Sequence, residues 1–208
     1  MGNEIIVDRV GFATQNSACV SEPSPNLQQP WNNWHHLMGH TYGAWLPGDP
    51  RGFRTFHHRQ HVDGDYKSPP PKGKYGQLHQ YSKSVMKREP IYLNLEQRKL
   101  AVRFLVESLQ RREIEVVSAC VDSVHFHILA RITDCRADHW LGVAKRETST
   151  YMKRDGMCEP GGVWGRGGKC QPIRDRAHQL STVKYILGHR SKGAAVWFRE
   201  KVLPPVKA

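Results

Sequence analysis

The stretch Ile114-Glu115-Val116-Val117-Ser118-Ala119-Cys120-Val121-Asp122-Ser123-Val124-His125-Phe126-His127-Ile128-Leu129-Ala130-Arg131-Ile132 decides how this chain folds. Two runs rich in β-branched residues flank Asp122-Ser123, a pair that favours a turn, and the pattern predicts a β-hairpin. In the second strand successive side chains alternate between faces. Val124, Phe126 and Ile128 therefore share one side, and His125, His127 and Leu129 the other. A strand that presents two imidazoles on one face is a candidate metal site. The same pattern also occurs as hydrogen-bonded structural histidines and at strand ends of metal hydrolases, so alone it names no reaction.

Outward from the hairpin, residues 94–113 predict a helix. Asn94 followed three positions later by Gln97 forms a box-like start, and Leu100, Phe104, Val106 and Leu109 recur at helical spacing. Arg111 and Arg112 suit the last turn. A second helix is expected over about Ala137–Arg154, a Gly-rich loop from Gly156 to Gly168 around Trp164, and a short edge strand at Cys170–Ile173. A last helix, capped by Asp175 or Ser181, carries Val183, Tyr185, Ile186 and Leu187. Before the first helix, His35 to Trp45 reads as strand and ends at the turn signals of Leu46-Pro47-Gly48-Asp49-Pro50. The resulting class is α+β, an antiparallel sheet with helices packed on one face of it.

The predicted organisation is a flexible arm over 1–30, one domain over 31–200 with an insertion at 46–90, and a tail at 201–208. The insertion is read as structureless, with Arg51, Phe53, Arg54, Phe56 and Arg59 alternating cations with rings. That mixture suits unpaired nucleotides, because rings stack on bases while cations follow phosphates; it equally describes a solvated loop. Its four histidines, 57, 58, 61 and 79, lack ligand spacing and are not assigned to a metal.

The 208 residues carry a net charge of +12, from 31 Lys and Arg against 19 Asp and Glu, which favours a polyanionic partner. Five scattered cysteines without a C-x-x-C pair exclude a disulfide framework and a zinc ribbon. No run approaches the roughly 20 apolar residues of a membrane span, and the opening residues do not read as a secretory signal. A soluble, cytoplasmic and nucleoid-associated protein is expected.

In the last helix Tyr185 and His189 are four residues apart and share a face. A metal bound by His125, His127 and His189 would lie beside the Tyr185 hydroxyl and keep coordination positions open. Tyrosine, with a reference pKa near 10, needs such help to act as a nucleophile; a tyrosine on an amphipathic helix also commonly just packs.

With these residues in place, the chain resembles the HUH single-tyrosine transposases, and within them the REP-associated and small insertion-sequence transposases. The likeness spans about residues 35–195. It rests on Val121–Leu129 with its His-hydrophobe-His, the helix bearing Lys145, the loop Gly162-Val163-Trp164-Gly165-Arg166-Gly167, and Ile173-Arg174-Asp175 ahead of Tyr185-Ile186. The resemblance implies a ferredoxin-like or RRM-like HUH fold and metal ligation of Mg²⁺ or Mn²⁺ by His125, His127 and the residue four after the tyrosine. It also implies attack by Tyr185 on single-stranded or hairpin DNA, giving a 5′-phosphotyrosine, a free 3′-OH and strand transfer by reversal.

Where those relatives carry Gln or Asn four after the tyrosine, this chain carries His189, which shifts the expected metal preference towards ions that accept imidazole. Asp122-Ser123-Val124 replaces their usual Pro-Asn or Pro-Asp. Candidate DNA contacts are Arg51, Arg54, Arg59, Lys145, Arg146, Trp164 and Arg166, with Trp164 either stacking on a base or pinning its loop. The family works as monomers or homodimers. A relative that binds structured single-stranded DNA or RNA without cleaving it is the alternative. A hydrolase of small phosphate esters would leave the positive charge without a purpose.

Overall fold

A computed structural model of the chain describes residues 33–51, 53 and 71–199. The expected arm at 1–30, the tail at 201–208, and Arg54 and Arg59 lie outside the described residues. The elements in order are β1 (Trp34–His40), α1 (Gly76–Ser84), α2 (Leu95–Gln110), β2 (Glu115–Val121), β3 (His125–Arg131), α3 (Ala137–Arg154), β4 (Lys169–Pro172), α4 (Arg176–Gly188), a 3₁₀ turn (His189–Lys192) and β5 (Ala195–Phe198). The strands form one five-stranded sheet in the order β4-β1-β3-β2-β5 with every pairing antiparallel. The class is α+β.

The β2–β3 hairpin forms the middle of the sheet. Its alternation divides the interior in two. Phe126, Ile128 and Ala130 join Leu37, Ala119 and Val121 under α2 and α3, in a core that includes Leu105, Leu109, Leu141 and Ala144. Leu129 joins Trp34 and Cys120 on the opposite face, under Val183 and Ile186 of α4. Helices thus cover both faces, which corrects the one-face arrangement expected from the sequence: the apolar side of α4 is matched by a second apolar stripe on β2. A bulge supplies part of that stripe. Val116 pairs with Ala130 and Ser118 with Leu129, so Val117 is an extra residue that turns towards α4.

Helix α2 begins as its sequence signals, with Asn94 Oδ1 accepting from Gln97 N–H and Gln97 Oε1 accepting from Asn94 N–H, both at 2.9 Å. It stops at Gln110, short of 113, because Glu113 adopts a left-handed φ of 58°. Helix α4 starts at Asp175, whose carboxylate accepts from His178 N–H at 2.7 Å.

Three expectations need correcting. The 46–90 segment is not structureless throughout, since α1 forms within it. Strand β1 ends at His40, not Trp45, because Thr41 leaves the ladder to bridge Trp164 and Gly43 turns the chain at a φ of 73°. A fifth strand, β5, follows α4 and pairs with the outer side of β2.

Candidate metal centre

Register places the histidines. On the α4 side of the sheet, His40 lies opposite His125, Met38 opposite His127 and His36 opposite Leu129. Directly paired residues point to the same face, so β1 contributes His36 and His40 to the face that carries the His125-x-His127 pair. Above it, α4 turns Thr182, Val183 and Ile186 inward, and the chain reaches His189 one step after the helix ends. Tyr185 lies one turn earlier, half exposed at the rim.

The rings converge. Centroids of His125 and His127 lie 4.8 Å apart, His127 and His189 5.0 Å, and His125 and His189 5.2 Å. One ligand nitrogen from each of the three lies within 4.8 Å of the others. Metal–nitrogen bonds of about 2.1 Å require nitrogens roughly 3 to 3.5 Å apart, a contraction that small imidazole rotations supply. The Tyr185 ring stands 4.9 Å from His189 and 5.1 Å from His127.

The hydrogen bonding leaves the nitrogens a metal would need. Asp122 Oδ1 accepts from the backbone N–H of Val124 and His125, and Oδ2 lies 2.8 Å from His125 Nδ1. That leaves Nε2 as the ligand atom of His125. His127 Nδ1 lies 3.0 Å from His36 Nε2. His127 Nε2 and both ring nitrogens of His189 are buried without a hydrogen-bond partner among the described residues. A buried polar atom left unpaired costs about 1–3 kcal/mol, and His127 Nε2 together with one of the two His189 nitrogens suits a bound cation.

The electrostatics agree. Burial, followed by repulsion from His125, His36 and His189, pushes His127 down to about 2, against the weaker opposing pull of Asp122. Burial, then His178, Lys169 and His189, lowers His36 to about 4. His189 is also lowered, by burial first and then by His125. Burial alone would raise Asp122, but its hydrogen bonds with His125 and Val124 hold it down to about 2. At neutral pH His127 and His189 are therefore neutral imidazoles, the form that binds metals, and the Asp122 carboxylate stands behind the site.

An open cavity of about 380 Å³ runs along the outer side of α4, lined by Ser181, Lys184, Tyr185, Gly188, His189 and Lys192. Lys184 and Lys192 add two cationic side chains to the same lining as the tyrosine.

The remaining candidates divide. Lys145 Nζ donates to the carbonyls of Gly165, at 2.6 Å, and Gly167, holding the 161–168 loop to α3. That loop abuts the site, because a Cβ on Gly165 would sit 2.8 Å from His40 Nε2. Trp164 is 8% exposed and packs edge-on against Phe126 at 4.8 Å, so of its two readings the packing supports pinning the loop over base stacking. Arg51 is committed to Asp49 at 2.6 Å and Ala44 O at 2.7 Å, and lies over the Trp45 ring. Arg146 and Arg166 are exposed.

His36 and Asp122 were missed in the sequence. Asp122 carried a signal, an Asp three residues before a candidate ligand. His36 carried little, since its place beside His127 depends on a register that spacing does not reveal. Compared with protein-family models, curated proteins and solved structures, the chain shows no match. No helix among the described residues is long and apolar enough to cross a membrane.

Proposed function

We propose that this protein is a metal-dependent enzyme that cuts and rejoins single-stranded DNA, in the manner of the HUH single-tyrosine transposases it resembles, with Tyr185 as nucleophile. The observation that carries the reading is the Tyr185 ring about 5 Å from two of the three converging histidines, at the rim of an open, lysine-flanked cavity. His125, His127 and His189 would hold a divalent cation, which would supply Lewis-acid polarisation of a phosphate and positive charge to the site.

The chain's own groups account for the rest. Lys184 and Lys192 draw a phosphodiester to the cavity. The Tyr185 oxygen attacks phosphorus, a phosphorus–tyrosine bond forms, and the bond to the 3′ oxygen breaks. The proton lost by the phenol is balanced by one gained on the departing 3′ oxygen. The products are a 5′-phosphotyrosine and a free 3′-OH, and attack by another 3′-OH reverses the step. The three-imidazole donor set favours Mn²⁺ or Zn²⁺ over Mg²⁺, which prefers oxygen ligands.

Covalent capture tests this. Incubated with hairpin oligonucleotides and Mn²⁺, the wild-type protein should form a protein–DNA adduct that survives denaturation and disappears in Tyr185→Phe. Absence of an adduct across varied hairpins with Mg²⁺, Mn²⁺ and Zn²⁺ would overturn the assignment and leave a non-cleaving binder.

A further inference from the structure

The two strand ligands do not stand alone. His125 is backed by Asp122, a carboxylate. His127 is backed by another histidine, His36, which comes from a different strand and is itself 8% exposed. A neutral imidazole that gives Nε2 to a metal must keep its proton on Nδ1. His127 Nδ1 therefore donates to His36 Nε2 across 3.0 Å, which requires His36 to carry its own proton on Nδ1. His36 Nε2 is taken up by that contact, and His36 is not among the three histidines whose ligand nitrogens converge. The His36 ring also lies edge-on to Tyr185, at 6.1 Å, so one side chain braces both a ligand and the nucleophile.

We propose that His36 is a positioning residue of the metal centre: it accepts the Nδ1–H of His127, fixes that ring in the tautomer and orientation that present Nε2 to the cation, and so sets metal affinity. The inference rests on the reading of His125, His127 and His189 as a metal site. Three observations make the assignment specific to this side chain. The contact is direct, both rings are buried away from competing water, and His127 has no other partner on Nδ1 among the described residues. Removing the acceptor leaves a buried N–H unpaired and frees the ring to take the opposite tautomer, in which Nε2 is protonated and cannot bind.

The test is metal binding by the full-length protein, stripped of metal and titrated with Zn²⁺ and Mn²⁺ in a competition assay, with no DNA present. His36→Leu should weaken both affinities by about 10- to 100-fold, the range seen when such supporting partners are lost. His36→Gln, whose side-chain oxygen still accepts a hydrogen bond, should recover most of the loss. A merely structural role would lower the thermal stability of both metal-free variants together and would not separate Gln from Leu in affinity.

If wild type binds and His36→Leu binds equally well, His36 is not a positioning residue. If wild type binds neither metal, the metal-site reading itself fails. Should His36→Leu not fold, the histidine tautomers of the wild type decide, read by ¹⁵N–¹H correlation of the Zn²⁺ form. A protonated Nδ1 on His127 supports the proposal, and a protonated Nε2 overturns it.

Discussion

At the scale of single residues, the site depends on a glycine as much as on its histidines. Gly39 lies opposite Phe126, the residue between His125 and His127. A Cβ at position 39 would fall 2.5 Å from Phe126 Cε1 and 2.6 Å from Cζ. That ring is fully buried and braced by Trp164, so it cannot swing away. Gly39→Ala is expected to cost about 1–3 kcal/mol by overpacking, seen as a lowered midpoint in urea, and to weaken metal binding because His125 and His127 flank the displaced residue. His189 sets the choice of metal: His189→Gln replaces an imidazole with an amide oxygen and should lower Zn²⁺ affinity far more than Mn²⁺ affinity in competition titrations. Which residues could be found in advance follows from this. His125 with His127, and Tyr185 with His189, were legible because strand and helix periodicities are local rules. The meeting of the two pairs was legible only as an expectation, and His36 was not legible, because cross-strand register is a property of the folded sheet.

At the scale of elements, one acid adds a polar clamp to the apolar packing of α2 against α3. Glu147 of α3 receives Ser108 at 2.7 Å, Arg111 at 2.8 Å and Arg112, all from the end of α2 or just beyond it. Burial would raise this carboxyl, but the hydrogen bonds from Arg112, Ser108 and Arg111 overcome it and hold the group down to about 2, from an ordinary 4.5. A carboxyl depressed on folding contributes stability that is fully present above its unfolded pKa and is lost as pH falls through the folded value. At about 1.4 kcal/mol per pH unit the full drop corresponds to roughly 3.5 kcal/mol, which solvent around the partly exposed arginines and carboxylate reduces to about 1–2 kcal/mol at neutral pH. Glu147→Gln should therefore be less stable than wild type by about that amount at pH 7, and the gap should close as pH falls from about 4.5 towards 2, measured by denaturant titration at each pH. At the start of α2, Asn94→Ala removes half of the capping box and should cost about 1 kcal/mol. Helices α2 and α3 were readable because caps and apolar spacing are written in consecutive residues. Strand β5 was not: four residues are too few to show alternation, and it is strand only because β2 offers a free edge. Helix α1 was hidden for a related reason, since Gly76-Gln77-Leu78-His79-Gln80-Tyr81 lacks a clear apolar stripe and follows a proline run.

At the scale of the whole molecule, the sheet separates two tasks. Beneath α2 and α3 lies the larger apolar core, and beneath α4 a smaller one that gives way at its edge to the histidines. The +12 charge is distributed over both kinds of position, and the structure sorts the cations that sequence alone treats alike. Arg51 and Lys145 already spend their hydrogen bonds on Asp49, Ala44 O and the carbonyls of Gly165 and Gly167. Arg146, Arg166, Lys184 and Lys192 are exposed. Phosphate contacts to a single strand release counterions, and each lowers the slope of log affinity against log salt by about 0.7. If the exposed set follows a DNA backbone, Arg146→Ala, Arg166→Ala, Lys184→Ala and Lys192→Ala should each weaken binding of a hairpin oligonucleotide and flatten that slope by about 0.7, with the melting temperature unchanged. Lys145→Met and Arg51→Ala should behave oppositely, lowering the melting temperature because the 161–168 loop and the 44–51 turn lose their struts. A uniform response of all six, or a wild-type affinity indifferent to salt, would show that the positive surface does not track a nucleic-acid backbone. Lys184 on α4 and Lys192 in the 3₁₀ turn after it are the most telling, because they line the cavity that holds Tyr185: their effect on salt dependence would tie the path of the strand to the nucleophile rather than to a basic patch elsewhere.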